Sequence, residues 1–326
     1  MRRREFITLL GSAAAAWPLS GRAQQAARKS WRIAQVLGGS PELSGHLARA
    51  LEQRLGELGY RPNLTLVTRF VSPQPEALED VIRSLIEETD LLVVWGTIAA
   101  VAARKVVRNK PVIFLTVGAP VEIGLVESLA RPGGNLTGIT FEAARETYGK
   151  RLQILKEIAP GVTRVAVLGA KGDPNVNFAM ESLVKASQEL GLTIIPVNFD
   201  ATDDLAVKFD EIRKLGAEGL IVVAGVLTYA RRQQIADLGL SYRLPSCHGF
   251  YETVAMGGLA SLGPDMVATV SQAADYIDKI MHGANPADLP VQQPSHYLLH
   301  INQRTARALG LTIPAGMLAG ADEVIE

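Results

Sequence analysis

The chain is short of most residues on which chemistry is built. Its 326 residues include one cysteine, Cys247, so no intramolecular disulfide can form and packing must hold the fold. A cofactor-independent racemase working with two thiols is excluded by the same count. Net charge is absent too: 33 Lys and Arg face 33 Asp and Glu, which gives nucleic acid no electrostatic reason to bind. The apolar stretch Ile7 to Leu19 has 13 residues, crossing a bilayer takes about 20, and no second apolar run approaches that length.

Recognisable catalytic motifs are equally scarce. Leu37-Gly-Gly-Ser-Pro-Glu has the wrong glycine spacing for a dinucleotide, and neither G-x-x-x-x-G-K-[ST] nor G-x-S-x-G occurs. His296 and His300 are four apart in a segment that reads as a strand. They would stand roughly 13 Å apart at strand rise, too far to share an ion bound at about 2 Å. No metal and no cofactor is expected. Cys247-His248 allows a thiolate pair in principle, while a buried structural cysteine needs no electropositive site.

What is present begins at the first residue. MRRREFITLLGSAAAAWPLSGRA has a basic tip, a short apolar middle and a small-x-Ala exit, the parts of an export signal. Arg3-Arg4 before x-Phe-Ile resembles the twin-arginine version. Cleavage after residue 23 would lower Lys and Arg to 29 and Asp and Glu to 32, a net charge near −3. No cysteine stands at the exit, so the expectation is a periplasmic, soluble protein without a lipid anchor.

A duplication organises the rest. Arg32-Ile-Ala-Gln-Val-Leu and Arg164-Val-Ala-Val-Leu open apolar runs 132 residues apart, and Leu58-Gly59 and Leu190-Gly191 close the following helical patterns at the same spacing. Each half continues with a strand (LTLVTRF; LTIIPVNF), a helix, and a fully apolar strand ending at Gly96 or Gly225. Alternating strands and helices predict parallel sheets with right-handed crossovers. The fold class is therefore α/β, two doubly wound parallel-sheet lobes joined by a hinge. Residues 31–142 with 258–283 are assigned to lobe one, and 143–257 with 287–326 to lobe two. Tyr297 to Ile301 reads as an edge strand.

In open parallel sheets ligands sit beyond the carboxyl ends of the strands, and two such lobes face a cleft that closes by a hinge. Gly39 and Ser40 follow the first strand. Gly96, Thr97, Ile98 and Ala99 follow another and open a helix, with Thr97 as the expected N-cap. The free N–H groups of that turn suit a carboxylate, and a plain capped helix suits the same residues. Asn175 repeats the pattern in the second half. Tyr229, Tyr251 and Glu252 are expected at lobe two's facing edge, Glu252 as a ligand contact or as a solvated loop carboxylate. Val117, Ala119 and Phe141 complete the candidate set.

Several stretches together resemble a known family: the MRRREFI opening, Ser128-Leu-Ala-Arg-Pro-Gly-Gly-Asn-Leu-Thr-Gly138, Gly257-Gly258-Leu259, Leu289-Pro-Val-Gln-Gln-Pro, and the ending Ala321-Asp-Glu-Val-Ile-Glu. The chain is similar over its whole length to periplasmic substrate-binding proteins of ABC transporters, in the family that includes the tryptophan/tyrosine receptors. The resemblance implies a type I periplasmic-binding fold with three interlobe crossings and a small ligand in the cleft. It also implies a monomer that docks on an inner-membrane ABC permease, and no enzymatic activity. A ligand carboxylate would rest on Gly96–Ala99, with lobe-two contacts from Asn175, Tyr229 and Glu252. Where members commonly read Asp-Pro-Val, this chain reads Ala119-Pro120-Val121, which removes an ammonium partner; the expected ligand is a small carboxylate, either an amino acid or an acid with an aromatic or apolar body. Other classes compatible with two lobes are a periplasmic enzyme using Cys247, His248 or Glu252, and a sensory receptor for a membrane kinase.

Overall fold

The structure, a computed structural model, describes residues 30–60, 63–142, 146–294 and 296–326. The export signal lies outside the described residues. Among those described, no helix is long and apolar enough to cross a membrane.

The first half builds one sheet. β1 (Trp31–Gly38), β2 (Leu64–Val71), β3 (Leu91–Trp95), β4 (Val112–Gly118) and β5 (Leu136–Glu142) run parallel in the order β2-β1-β3-β4-β5. Between them lie α1 (Pro41–Glu57), α2 (Pro75–Ile86) and α3 (Thr97–Val106). β3 is buried along its whole length, as its all-apolar sequence requires of a strand covered on both faces.

The second half repeats the plan. It comprises α4 (Glu146–Ile158), β6 (Arg164–Ala170), α5 (Pro174–Leu190), β7 (Thr193–Phe199), α6 (Leu205–Lys214) and β8 (Gly219–Val222). α7 (Val226–Ala230), α8 (Arg232–Ser241), β9 (Ser246–His248), α9 (Tyr251–Ala255) and β10 (Ala260–Pro264) follow. Then come α10 (Met266–Met281), β11 (Tyr297–Asn302), α11 (Gln303–Leu309), α12 (Ala315–Gly320) and β12 (Glu323–Ile325). The second sheet has the order β12-β11-β10-β9-β8-β6-β7, with β10 and β11 antiparallel. The helix ends marked by the 132-residue repeat are real: Gly59 and Gly191 both take positive φ, 89° and 63°, a conformation that costs glycine little.

Two features of the last third differ from expectation. β10 was assigned with the helix after it to lobe one, yet it pairs in lobe two, parallel to β9 through Ala260 and Cys247 and antiparallel to β11. The chain crosses only after the strand, at Asp265, whose carboxylate accepts from the N–H groups of Val267 and Ala268 and so starts α10. α10 then buries Val270 and Ile277 beside α1 and the first sheet, each worth about 1.5–3 kcal/mol. Second, β11 is not an edge strand, because β12 pairs beyond it through Ile301 and Val324. Residues 287–293 also stay on lobe one: Thr137 Oγ1 donates to the Leu289 carbonyl at 2.7 Å, and Thr140 N donates to that of Gln292 at 2.9 Å. The chain thus passes between lobes after β5, after β10 and before β11.

Candidate functional site: an interlobe cavity

The strand ends of the two sheets face each other across a cavity of about 540 Å³, counting the space open to solvent at its mouth. Lobe one supplies Leu37 and Gly38 from β1, Leu47 from α1, Trp95 from the end of β3 and Gly96 just after it, with Phe141 from β5. Thr116 joins them because a bulge in β4 gives it a φ of 56°, and bulges re-aim side chains in this way. Lobe two supplies Asn175, Val226, Tyr229 and Phe250, while Met266 lines the cavity from the start of α10. Among the described residues, no Asp, Glu, Lys, Arg or His belongs to this wall.

Three glycines at the strand ends let the lobes meet. A Cβ on Gly38 would stand 2.1 Å from Val226 Cγ1, and one on Gly96 would stand 2.3 Å from Val226 Cγ2. A Cβ on Gly118 would be 2.2 Å from Asn175 Oδ1. Any side chain at these positions would occupy the volume that lobe two fills.

Polar and aromatic groups tie the lobes at one side. The Tyr229 hydroxyl lies 3.0 Å from His46 Nε2 on α1 and 3.3 Å from Glu252 Oε1. Burial pushes the Tyr229 hydroxyl well above its ordinary range, with Glu252 adding to the shift. Burial lowers His46, against the pull of Glu252. The Arg232 guanidinium stacks 4.2 Å from the Tyr229 ring centroid and donates to the Leu43 carbonyl of lobe one at 3.4 Å. Phe250 bridges Tyr229 and Phe141, at 4.8 Å and 4.9 Å between centroids.

Of the residues singled out from sequence, Gly96, Phe141, Asn175 and Tyr229 line the cavity. Glu252 stands behind Tyr229, one of its oxygens buried without a partner among the described residues. The others sit elsewhere. Ser40 makes no side-chain cap and bonds Glu42 instead, and Gly39 lies beside Ser44 and Ala230 without lining the cavity. The N-cap of α3 is Gly96, and Thr97 is buried with its Oγ1 accepting from Gly118 N at 3.3 Å. Ile98, Ala99 and Val117 belong to the core beneath sheet one. Ala119, at φ 47°, packs into the core of lobe two and donates its N–H to the Glu142 carbonyl. Tyr251 turns outward, its hydroxyl donating to Glu323 at 2.9 Å and its ring 4.5 Å from His300.

Cys247 and His248 are fully buried neighbours on β9, and successive strand residues face opposite sides. Burial pushes the thiol up to about 12 and the imidazole down to about 3, Arg151 adding to the latter. Neither the thiolate nor the imidazolium of a catalytic pair forms at neutral pH. Sequence reading missed Trp95, Val226, Phe250 and Met266. All four sit at strand ends or first helical turns, and their apolar character hid them among core residues.

Comparison with known proteins fits this architecture. Residues 48–325 match the family model described as ABC transporter substrate binding protein. A tyrosine-binding protein of Clostridioides difficile is 23% identical over 226 residues, 69% of this chain, and the match spans only 64% of that relative's length. A Streptococcus pneumoniae ABC domain solved in complex with L-Trp superposes with a TM-score of 0.82 at 23% identity, covering 90% of this chain and all of that one. A conserved domain protein from Vibrio cholerae gives 0.84 at 25% identity over 91% of this chain and 100% of its own.

Proposed function

The chain belongs to the ABC transporter substrate-binding protein family, and from that premise we propose that it captures a small carboxylate with an aromatic or apolar body between its lobes and delivers it to a membrane permease. The observation that carries this reading is the cavity itself, walled by both lobes of one chain, lined by Trp95, Phe141, Tyr229 and Phe250, and without a charged side chain among the described residues. Aromatic walls of this kind suit bodies such as those of the tyrosine and tryptophan named for its relatives.

The carboxylate reading rests on α3, which opens at Gly96 in the cavity wall. The first-turn N–H groups of a helix have no acceptor within it, and its dipole favours a negative group there. Export by the twin-arginine route would place the protein in the periplasm, and replacing Arg3 and Arg4 together by lysine would then hold the precursor in the cytoplasm. The function is tested by native mass spectrometry of protein purified without refolding, followed by calorimetry with the solute it carries. The solute should bind again and be recovered unchanged after long incubation; steady conversion into product overturns the receptor reading.

A further inference from the structure

Two residues that line the cavity, one on each lobe, each carry a buried polar atom without a partner among the described residues. Trp95 ends β3 at 3% exposure, and its Nε1–H is buried with no acceptor among the described residues. A buried indole N–H ordinarily finds an acceptor, because burying it without one forfeits its hydration. Asn175, also 3% exposed, donates from Nδ2 to the Ala224 carbonyl at 2.7 Å and to Tyr148 Oη at 3.1 Å. The carbonyl can only accept, so the amide orientation is fixed. Its Oδ1 is then directed at Gly118 of lobe one, where no donor among the described residues meets it.

Resting on the receptor reading above, we propose that Trp95 Nε1 and Asn175 Oδ1 select the ligand: the indole donates to a ligand oxygen, and the amide accepts from an uncharged O–H or N–H of the same molecule. Among the described residues no charged side chain lines the wall to neutralise an ammonium, and burying a cation without a counter-charge is far more costly than burying a hydroxyl. The class favoured is an aromatic or apolar carboxylate carrying a neutral donor, a hydroxy acid rather than an α-amino acid. A closed cleft then leaves neither wall atom unpaired, so the ligand that satisfies both stabilises closure.

The test uses three probes of one shape, 3-phenylpropionate, L-3-phenyllactate and L-phenylalanine, titrated calorimetrically into the full-length mature protein and Trp95→Phe. The phenyl ring replaces the indole and removes only the donor and some volume. The hydroxy acid should bind the wild type at least tenfold more tightly than the amino acid, and Trp95→Phe should weaken both acids at least tenfold. Equal affinities in wild type and variant, or preference for L-phenylalanine, overturn the assignment while leaving the receptor reading standing. No binding of any probe to the wild type overturns the ligand class and the assignment together. Should Trp95→Phe fold poorly, the indole N–H resonance of Trp95 in nitrogen-15-labelled wild type decides: it should shift on saturation with 3-phenyllactate, and an unmoved signal overturns the role of Trp95.

Discussion

Glu142, the last residue of β5, and Arg151 of α4 form an ion pair with both side chains wholly shielded from water. The pair spans the first crossing between the lobes. Arg151 also donates from Nε to the Leu262 carbonyl of β10 at 2.8 Å, just before the second crossing at Asp265, so one guanidinium secures two of the three. Tyr148 extends the network, bonding Glu142 and lying beneath the guanidinium at 4.7 Å. Through Asn175 this network reaches the cavity wall.

Removing one partner strands the other. Arg151→Met should destabilise the protein by about 3–5 kcal/mol, the cost of an uncompensated buried charge. The double variant Glu142→Gln/Arg151→Met should recover much of that loss. Chemical denaturation of the three proteins checks this, and a double variant no more stable than the single would locate the damage in packing.

Closure should depend on Val226 entering the glycine notch. Gly38→Ala places a methyl group inside the volume of Val226 Cγ1, and overpacking of this kind costs about 1–3 kcal/mol. Because the clash exists only while the lobes meet, the loss should appear as weaker ligand binding, roughly tenfold for about 1.4 kcal/mol, with a larger radius of gyration in scattering. Val226→Ala in the same background should restore both. Persistence of the defect would place the strain within lobe one.

Acid stability should be set by two opposed buried groups. His248 titrates near 3 in the fold against an ordinary 6.5, chiefly through burial. The unfolded chain therefore binds its proton first, and this contribution is lost as pH falls from 6.5 toward 3. Burial raises Asp173 from 3.8 to about 6, so between those values the folded chain holds the extra proton and stability falls as pH rises. Between pH 4 and 6 the two nearly cancel. Asp173→Asn, which keeps the cap acceptor, should gain stability with rising pH there, and His248→Gln should lose it. Each slope should approach about 1.4 kcal/mol per pH unit, read from denaturation at pH 4, 5 and 6. Parallel profiles for both variants and the wild type would refute the assignment.

Much of this architecture was written in the chain. The 132-residue echo of Arg32 in Arg164 and of Gly59 in Gly191 identified two α/β lobes, because a buried parallel strand and a glycine helix end each demand particular residues. What stayed hidden depends on partners remote in sequence. Nothing in Ala-Ser-Leu-Gly-Pro says that its ladder partners are Cys247 and Leu299 rather than a strand of lobe one. Thr97 has the chemistry of a cap, yet the N–H of Gly118 claims its hydroxyl and Gly96 takes the cap position. Trp95 reads as the end of a core strand, and only the approach of lobe two makes it a cavity wall.

The hydroxyl of Tyr229 should act as the polar clasp between the lobes. It carries one proton and has two neighbours, His46 Nε2 at 3.0 Å and Glu252 Oε1 at 3.3 Å. An ionised carboxylate can only accept, so the proton goes to Glu252 and the hydroxyl accepts from Nε2–H of a neutral His46. The hydroxyl's link to α1 is then one hydrogen bond made when the cleft is shut, alongside that from Arg232 to the Leu43 carbonyl. Tyr229→Phe keeps the ring against Phe250 and Arg232 and removes that bond, as His46→Ala does from the other side. Each should weaken ligand binding about fivefold, the effect of roughly 1 kcal/mol, and mainly through faster dissociation. Since both remove the same bond, the double variant should bind about as well as the weaker single variant. Fully additive losses in such a cycle would mean that the two side chains contribute separately and that no clasp forms between them.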